Sequence, residues 1–368
     1  MSRSAASRNH SSSFLYIASF SSLAIYRLPV MRMVSDHFGG SLRIFAGDRA
    51  HDTSIRLIDQ DALPQVKLHN VFLPRQLLFQ RIDLAAYMRC DVLMLDLNPR
   101  LLHAWPILIL RRLLRRRTVL WGHAWPRAGR NSLSAPLRHA MRALATGLVA
   151  YTESQAAELR AVHPRKEVYA APNALFHRAD CAFDATSRRD AVIYAGRLTP
   201  AKKPLLLMEA FERLASENPT IKLTIIGDGL QLDRVMEAAK NSPHSSRISI
   251  MGHISDRDIL REIYAKAIVS VSPGYVGLAA TQSFAFGVPM IISRTEPHAP
   301  EIEAAEEGTN SVFFTTDDVD DLTRALESMI SGQDVWHSRG ASISGQCGLA
   351  YSIERMAEGV IESFGPNL

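Results

Sequence analysis

Two cationic side chains follow closely on an apolar, β-branched run in the second half of the chain. The run covers residues 191–195 and predicts a buried strand, and Gly196, Arg197 and Lys202 stand in the loop after it. A guanidinium and an ammonium group placed together neutralise a diphosphate, so we predict that Arg197 and Lys202 bind one. A solvated pair of loop charges is the alternative interpretation for either cation taken alone.

A glycine-containing turn further along the chain offers main-chain donors. It joins a strand predicted over 267–272 to a short helix predicted over 278–286. The first N–H groups of a helix have no acceptor within it, and with the helix dipole they suit a phosphate. We therefore predict that a phosphate binds the amides of Val276, Gly277, Leu278 and Ala279. An ordinary tight turn between strand and helix is the alternative.

Two more candidates follow predicted strands. Gly227 comes after the strand at 221–226, although a Gly-Asp-Gly triplet by itself usually marks only a tight turn. In the first half, His123 follows the strand at 118–122. Doubly wound sheets bind ligands at the carboxyl ends of their strands, so we rank His123 first among the polar groups of that half. A purely structural histidine is the alternative.

The alternation of strand and helix patterns along both halves predicts the elements that position these residues. It indicates an α/β fold with two parallel sheets, each covered on both faces. A length of 368 residues fits two domains. The predicted divisions are a disordered lead at 1–13, an N-terminal domain at 14–176, a linker at 177–189, a C-terminal domain at 190–350 and a last helix within 351–368.

Composition and charge narrow the class of protein. A net charge of +5 favours anionic ligands or lipids without requiring nucleic acid, and we predict no nucleic-acid partner. The three cysteines show neither paired nor metal-ligand spacing, so we expect a cytoplasmic protein without a metal. Serines interrupt the apolar run at 14–26, which favours a first strand over a signal peptide. No run reaches the ~18 apolar residues that span a bilayer.

An arginine-rich stretch at 108–117 has the sequence LILRRLLRRR. Its five arginines, Arg111, Arg112, Arg115, Arg116 and Arg117, stand against an apolar stripe without any acid. Such a face suits the headgroups of an anionic membrane, and we predict peripheral contact with the inner membrane face. A solvated helix face beside a buried stripe is the alternative.

The order of several motifs resembles a known family. GRLTPAKKP, TIIGDG, ISIMGHIS and SPGYVGL…QSFAFGVPMI are similar to the nucleotide-sugar half of the retaining glycosyltransferases of family four. The resemblance covers residues 191 to about 330, and LWGHAW, VAYTES and APNAL match the other half more loosely. It implies the GT-B architecture, in which two Rossmann-like domains face each other across a cleft and the last helix crosses back onto the first domain.

The resemblance also implies residue roles. The N-terminal domain would take a glycan or lipid-linked acceptor, and the C-terminal domain would bind the nucleotide sugar without a metal or other cofactor. Gly252, His253 and Ile254 would lie beside the base. The family's diphosphate contacts correspond to Arg197, Lys202 and the Gly277–Leu278 amides, and His123, Arg197 and Lys202 are the predicted catalytic groups.

This sequence departs from the family at two positions. The family usually has two glutamates eight positions apart, where this chain has Gly274 and Gln282. Gln282 still accepts and donates hydrogen bonds to ribose hydroxyls, whereas Gly274 offers no side chain to the sugar. Tyr275 or the backbone then replaces the first glutamate, or the chain is a non-catalytic GT-B subunit. A nucleotide-sugar epimerase, which shares the fold, is a further alternative.

Overall fold

A computed structural model describes residues 15–52, 55–126, 129, 132 and 134–365. The predicted lead at 1–13 and Phe14, the predicted first residue of the N-terminal domain, lie outside the described residues. The same holds for residues 366–368 at the end of the predicted last segment.

The first half builds a parallel sheet and one small hairpin. Its strands are β1 (Tyr16–Phe20), β2 (Leu42–Gly47), β3 (Val66–Leu68), β4 (Asn70–Leu73), β5 (Leu77–Gln80), β6 (Val92–Asp96), β7 (Arg117–Trp121), β8 (Gly147–Ala150) and β9 (Glu167–Ala170). Seven of them pair in the order β3-β2-β1-β6-β7-β8-β9, all parallel, while β4 and β5 pair antiparallel. The short strands β3 and β4, separated only by His69, therefore belong to different sheets.

Helices cover both faces of this sheet. They are α1 (Leu28–Phe38), α2 (Leu84–Arg89), α3 (Ala104–Leu113), α4 (Ala135–Leu144) and α5 (Glu153–Val162). The side chains of β1 alternate between two apolar clusters: Tyr16, Ala18 and Phe20 pack in one, and Ile17 packs in the other. This alternation is what a strand buried on both faces requires.

The second half repeats the plan. Its strands are β10 (Ala191–Ala195), β11 (Lys222–Ile226), β12 (Ile248–Ile250), β13 (Ala267–Ser272), β14 (Met290–Ser293) and β15 (Ser311–Phe314), in the order β12-β11-β10-β13-β14-β15. Its helices are α6 (Pro204–Glu217), α7 (Leu232–Asn241), α8 (Arg257–Ala265), α9 (Ala279–Ala285), α10 (Val319–Ser331) and α11 (Gln333–Ala350). The predicted α/β class, with a parallel sheet in each half, is confirmed.

The last helix, α12 (Ile353–Ser363), packs on the first sheet rather than the second. Met356 and Val360 belong to the apolar cluster that contains α1, and Phe364 meets the ring of Phe38 edge-on at 5.2 Å. Gly359 allows this contact, because a Cβ there would lie 1.9 Å from the carbonyl oxygen of Ala170 at the end of β9. The last helix therefore connects the two halves of the chain, and its packing against β9 requires a glycine at position 359.

The arginine-rich stretch is only partly exposed, which corrects the prediction for Arg111. Its side chain is fully buried and donates to the carbonyl of Cys90 at 3.0 Å and the Thr118 hydroxyl at 2.9 Å. Arg117 pairs with Glu167. Arg111 thus ties α3 to the first residues of β7 and to the turn before β6, whereas Arg117 links β7 to β9. Neither side chain is free to face a membrane. Of the helices within the described part of the chain, none combines the length and apolar character needed to cross a bilayer.

The close approach at Gly359 leads to a prediction about stability. Gly359→Ala should lower the free energy of unfolding by about 1–3 kcal/mol, because the added methyl group forces α12 away from β9. Gly345→Ala in α11 is the matched control, since nothing lies within 4 Å of a Cβ at that position. That exchange should raise stability by about 0.5–1 kcal/mol through helix propensity. Equal effects of both exchanges in urea unfolding would contradict the proposed packing constraint.

Candidate functional site

Three loops at the carboxyl edge of the second sheet are hydrogen-bonded side by side. The amide of Gly196 donates to the carbonyl of Ile226 at 2.9 Å, and the amide of Gly227 donates to the carbonyl of Gly252 at 2.7 Å. A Cβ on Gly227, whose φ is +151°, would lie 1.8 Å from the carbonyl oxygen of Gly196. Only glycine permits this approach, so Gly227 holds the loops after β10 and β11 together.

The turn after β13 packs against the loop that carries Lys202. The amide of Tyr275 donates to the carbonyl of Ala201 at 2.9 Å, and the Lys202 ammonium group lies 4.6 Å from the centre of the Tyr275 ring. This geometry is a cation–π contact, which fixes the direction of the lysine side chain. Two elements predicted to bind the diphosphate, Lys202 and the glycine turn, are therefore neighbours.

Gly274 is a steric requirement of this arrangement. A Cβ at this position would lie 2.4 Å from the carbonyl oxygen of Ala201 and 2.9 Å from the carbonyl carbon of Lys202. Any side chain here, including the glutamate that the resemblance leads one to expect, would push the Lys202 loop away from the turn. Loss of the glutamate and close approach of the loop therefore go together.

One predicted phosphate donor is already occupied, which corrects the prediction for Val276. Its amide donates to Nδ1 of His298 at 3.0 Å, and Nε2 of the same ring lies 2.8 Å from the carbonyl oxygen of Ser293. The ring is therefore neutral, with its proton on Nε2. Burial lowers the pKa of His298 and so favours this neutral form, and the positive charge of Lys202 acts in the same direction.

The remaining main-chain donors of the turn are open. Within the described parts of the chain, the amides of Gly277, Leu278 and Ala279 meet no acceptor. The amide of Ala280 bonds to the carbonyl of Gly277 at 3.0 Å, which is the first hydrogen bond of the helical segment that continues as α9. Three of the four predicted amides thus have the geometry of an anion-binding helix start.

Arg197 does not join Lys202 at the turn. Its guanidinium Nη1 lies 3.2 Å from Oδ2 of Asp52, in the loop after β2 of the first domain. Both side chains are largely exposed, so the contact spans the cleft between the carboxyl edges of the two sheets. The structure thus brings Lys202 to the turn and directs Arg197 across the cleft.

The residues predicted beside the nucleoside lie farther along the same edge. His253 is exposed after β12, whereas Ile254 is half-buried and packs on the core of the second domain. The side-chain amide of Gln282 donates to the hydroxyl of Tyr264 at 3.3 Å. Among the described residues, no donor contacts the side-chain carbonyl oxygen of Gln282, so this oxygen is available to accept a hydrogen bond from a hydroxyl group.

His123 stands at the carboxyl edge of the first sheet, as its position after β7 led us to expect. Its ring is open to the cleft on one side and lies 4.7 Å from the ring of Tyr151. Loss of hydration, together with the nearby charges of Arg138 and Arg27, lowers the pKa of His123 to about 4. His123 is therefore neutral near pH 7.

Several polar neighbours of His123 were not identified from the sequence. Arg27 donates to the hydroxyl of Tyr151 at 2.6 Å, and Asp96 accepts a hydrogen bond from the amide of Ser21 at 2.6 Å. Asp96 ends β6 and Tyr151 directly follows β8, so the rule that selected His123 would also have found these two. Arg27 lies just before α1 and not at the end of a strand, so that rule would not have selected it.

The domains also touch beside the linker. The side-chain amide of Asn173 donates to Glu301 at 2.7 Å, and the amide of Ser154 donates to Glu303 at 3.2 Å. Because Glu301 is buried and bonded to the first domain, it acts in the domain contact. In the described residues, no three His, Cys, Asp or Glu side chains are grouped as metal ligands are.

Comparison with known proteins finds a family model that matches most of the second domain. Residues 182–341 match the family model of glycosyl transferases group 1. The GDP-mannose-dependent alpha-(1-6)-phosphatidylinositol dimannoside mannosyltransferase of Mycobacterium tuberculosis is 32% identical over 127 residues, which are 34% of this chain and 32% of that protein. The D-inositol 3-phosphate glycosyltransferase of Rhodococcus opacus is 24% identical over 190 residues, 48% of this chain and 41% of that protein. The chain thus matches less than half the length of either relative.

A solved structure extends the likeness to the whole fold. HepE of Anabaena, crystallised with UDP, superposes with a TM-score of 0.70 at 12% identity, over 95% of this chain and 99% of that one. At this identity the likeness establishes the fold alone. The predicted GT-B architecture is therefore confirmed.

The hydrogen bond to Val276 predicts a pH dependence that His298→Gln should remove. A glutamine accepts from Val276 and donates to Ser293 without titrating. Because the folded pKa of His298 lies below its usual value, wild-type protein and variant should bind UDP with a constant affinity ratio above pH 6.5. As pH falls through the folded pKa, protonation of Nδ1 breaks the bond to Val276, and only the wild type should weaken further.

Titration calorimetry from pH 4.5 to 8 measures this ratio and cancels the ionisation of UDP itself. The expected extra loss at the acid end is about two- to tenfold, the effect of one neutral hydrogen bond. His298→Ala should show a similar loss at every pH. UDP binding by His298→Ala as tight as that of the wild type over this whole range would show that His298 does not support the binding turn.

Proposed function

We propose that this chain, whose residues 182–341 belong to the glycosyl transferases of group 1, transfers a sugar from a nucleotide diphosphate to a glycan or lipid-linked acceptor. The observation that carries the proposal is the contact between the Lys202 loop and the Gly274–Gly277 turn. It places a cation beside three open amides at the edge of a parallel sheet, where a diphosphate binds.

The charge that develops during transfer explains the role of Lys202 and of the three open amides. As the bond to the anomeric carbon breaks, negative charge accumulates on the leaving diphosphate. Lys202 and the amides of Gly277, Leu278 and Ala279 stabilise it by electrostatics, with no proton transfer needed. Arg197 joins them when it exchanges Asp52 for the diphosphate. The resemblance favours a reaction that retains the anomeric configuration and a hexose as the sugar.

The remaining predicted residues bind the nucleoside and the acceptor. The base lies along Gly252, His253 and Ile254, and the carbonyl oxygen of Gln282 accepts from the ribose. The acceptor enters from the first domain, where neutral His123 faces the cleft. The name of the mycobacterial relative, which acts on a phosphatidylinositol dimannoside, supports a lipid-linked acceptor and a role in glycoconjugate or polysaccharide biosynthesis.

A non-catalytic subunit that binds nucleotide is the second candidate. The missing side chain at Gly274 favours this candidate, because the close approach of Ala201 excludes the side chain that usually faces the donor sugar. Turnover separates it from a transferase, and conversion of the donor sugar without an acceptor would indicate an epimerase.

The test combines binding with turnover for UDP-, GDP- and dTDP-sugars. The transferase should bind one of these donors and release the nucleotide diphosphate only when acceptor is present. Lys202→Ala and Arg197→Ala should each weaken binding by about 10- to 150-fold, because a hydrogen bond to a charged group contributes about 1.5–3 kcal/mol. Arg43→Gln on the exposed side of β2 is the control for loss of one charge. Donor binding without turnover would select the subunit, and unchanged affinity of Lys202→Ala would remove the diphosphate site.

We also propose that the protein is cytoplasmic and binds the inner membrane surface peripherally. With Arg111 and Arg117 occupied inside the fold and Arg116 paired with Asp91, the candidates are Arg112 and Arg115, next to the exposed side chains of Leu113 and Leu114. Exposed cations beside exposed leucines suit anionic headgroups above acyl chains.

Vesicle sedimentation tests this surface. Vesicles of phosphatidylcholine with phosphatidylglycerol should bind the protein more tightly than phosphatidylcholine alone. Arg112→Gln with Arg115→Gln should reduce that binding by about 30-fold, because two basic residues at about 1 kcal/mol each contribute about 2 kcal/mol. Arg234→Gln with Lys240→Gln removes the same charge from an exposed helix of the second domain and should change little. Equal losses in both pairs would show a general charge effect rather than a surface on α3.

A further inference from the structure

The floor of the cleft in the first domain contains a guanidinium group held by aromatic rings. The Cζ atom of Arg27 lies 4.7 Å from the ring centre of Trp121 and 5.2 Å from that of Tyr151. One Nη donates to the Tyr151 hydroxyl at 2.6 Å, while the buried Nε has no partner. The side chain thus has a fixed direction, and part of its hydrogen-bonding capacity is unused.

A second guanidinium approaches from α4. Arg138 reaches from the helix to the carbonyl oxygens of Leu97 and His123, at 2.7 Å and 2.8 Å, both through Nη1. Its Nε is buried without a partner. Burial and the nearby charges of Arg142 and Arg100 lower the pKa of Arg138 to about 10, so the group stays charged at neutral pH.

Burial alone would lower the pKa of Arg27, but Tyr151, Tyr26 and Asp96 outweigh it, so the pKa is raised and the positive charge of Arg27 is favoured. The acid that faces Arg27 is Asp96, whose pKa is raised by burial against the opposing effects of the Ser21 hydrogen bond and Arg27. Burial is the main cause of the lowered pKa of His123, and the positive charges of Arg138 and Arg27 add to it. Among the described residues of this edge, Asp96 lies near Arg27, whereas the recorded hydrogen bonds of Arg138 go only to main-chain carbonyls and its surroundings supply no opposite charge.

We propose that the acceptor carries an oxyanion group, a phosphate or a carboxylate, that binds between Arg27 and Arg138 beside His123. The inference rests on the proposed function, because it assigns the acceptor to the first-domain side of the cleft. Planar guanidinium groups match the geometry of carboxylate and phosphate oxygens. An oxyanion also supplies the opposite charge that the surroundings of Arg138 lack.

The donor diphosphate is an anion too, so the test is made with saturating UDP. The ligands are glucose, glucuronate and glucose 6-phosphate, which share a ring and differ in charge. The readout is the pKa of His123, followed by NMR of the histidine-labelled protein and assigned with His123→Gln. A bound anion offsets the two arginines, so the pKa of His123 should rise toward its usual value near 6.5 with glucuronate or glucose 6-phosphate. Glucose should leave it unchanged.

Variants identify the groups responsible. Arg138→Gln and Arg27→Met should each weaken binding of the anionic sugar by about tenfold or more, the loss of one charge-assisted contact. Arg43→Gln on β2 is the control of equal charge and should bind like the wild type. Thermal unfolding of each variant shows whether it is folded, and Arg138→Gln carries the test if Arg27→Met is not.

The outcomes separate this inference from the proposed function. A response to glucose 6-phosphate alone assigns a phosphate-bearing acceptor, and a response to glucuronate alone assigns a carboxylate. If the pKa of His123 ignores both anions while the enzyme turns over a nucleotide sugar, the anionic-acceptor inference is wrong and the transferase stands. If His123 responds to the anions but no donor binds, the oxyanion site stands and the transferase does not.

Discussion

The approach of one main-chain segment to another at Gly274 is the constraint on which the candidate site depends. The carbonyl of Ala201 accepts the Tyr275 amide where a Cβ of residue 274 would otherwise stand. This single contact brings the Lys202 loop onto the Gly274–Gly277 turn, and the Tyr275 ring then holds the ammonium group in place. A binding site made from backbone and one stacked cation is rigid before its ligand arrives, which reduces the entropy lost on binding.

The same contact explains how the site can lack the first glutamate of the family that the sequence resembles. A carboxylate at 274 would require a wider gap between the two loops, and the Lys202 ammonium group would then move away from the amides. The chain has instead a closer approach of the Lys202 loop to the turn and no side chain at position 274. In the proposed function charge develops on the diphosphate during transfer, so the groups proposed to act on it remain in place.

The sequence was sufficient for the fold and for the positions of loops, and insufficient for the partners of individual atoms. Buried β-branched runs and helix-ending glycines located the parallel strands, so Lys202, Gly277 and His123 were correctly expected at carboxyl edges. The hydrogen bond between Val276 and His298 joins residues 22 positions apart through a side chain, which no local pattern encodes. The prediction that Arg111 faces a membrane was wrong for a related reason. A run of basic residues suggests exposure, and only the folded structure shows that carbonyl groups of other elements surround this arginine.

The pairing of Arg197 with Asp52 connects donor binding to the relation between the domains. Both side chains are largely exposed, and ion pairs of this kind contribute about 0–1 kcal/mol. A contact between a guanidinium and a diphosphate contributes about 1.5–3 kcal/mol, so exchange of one partner for the other is downhill. In the proposed function, the donor therefore releases a contact between the domains when it binds, and the carboxyl edges of the two sheets are then free to close around donor and acceptor.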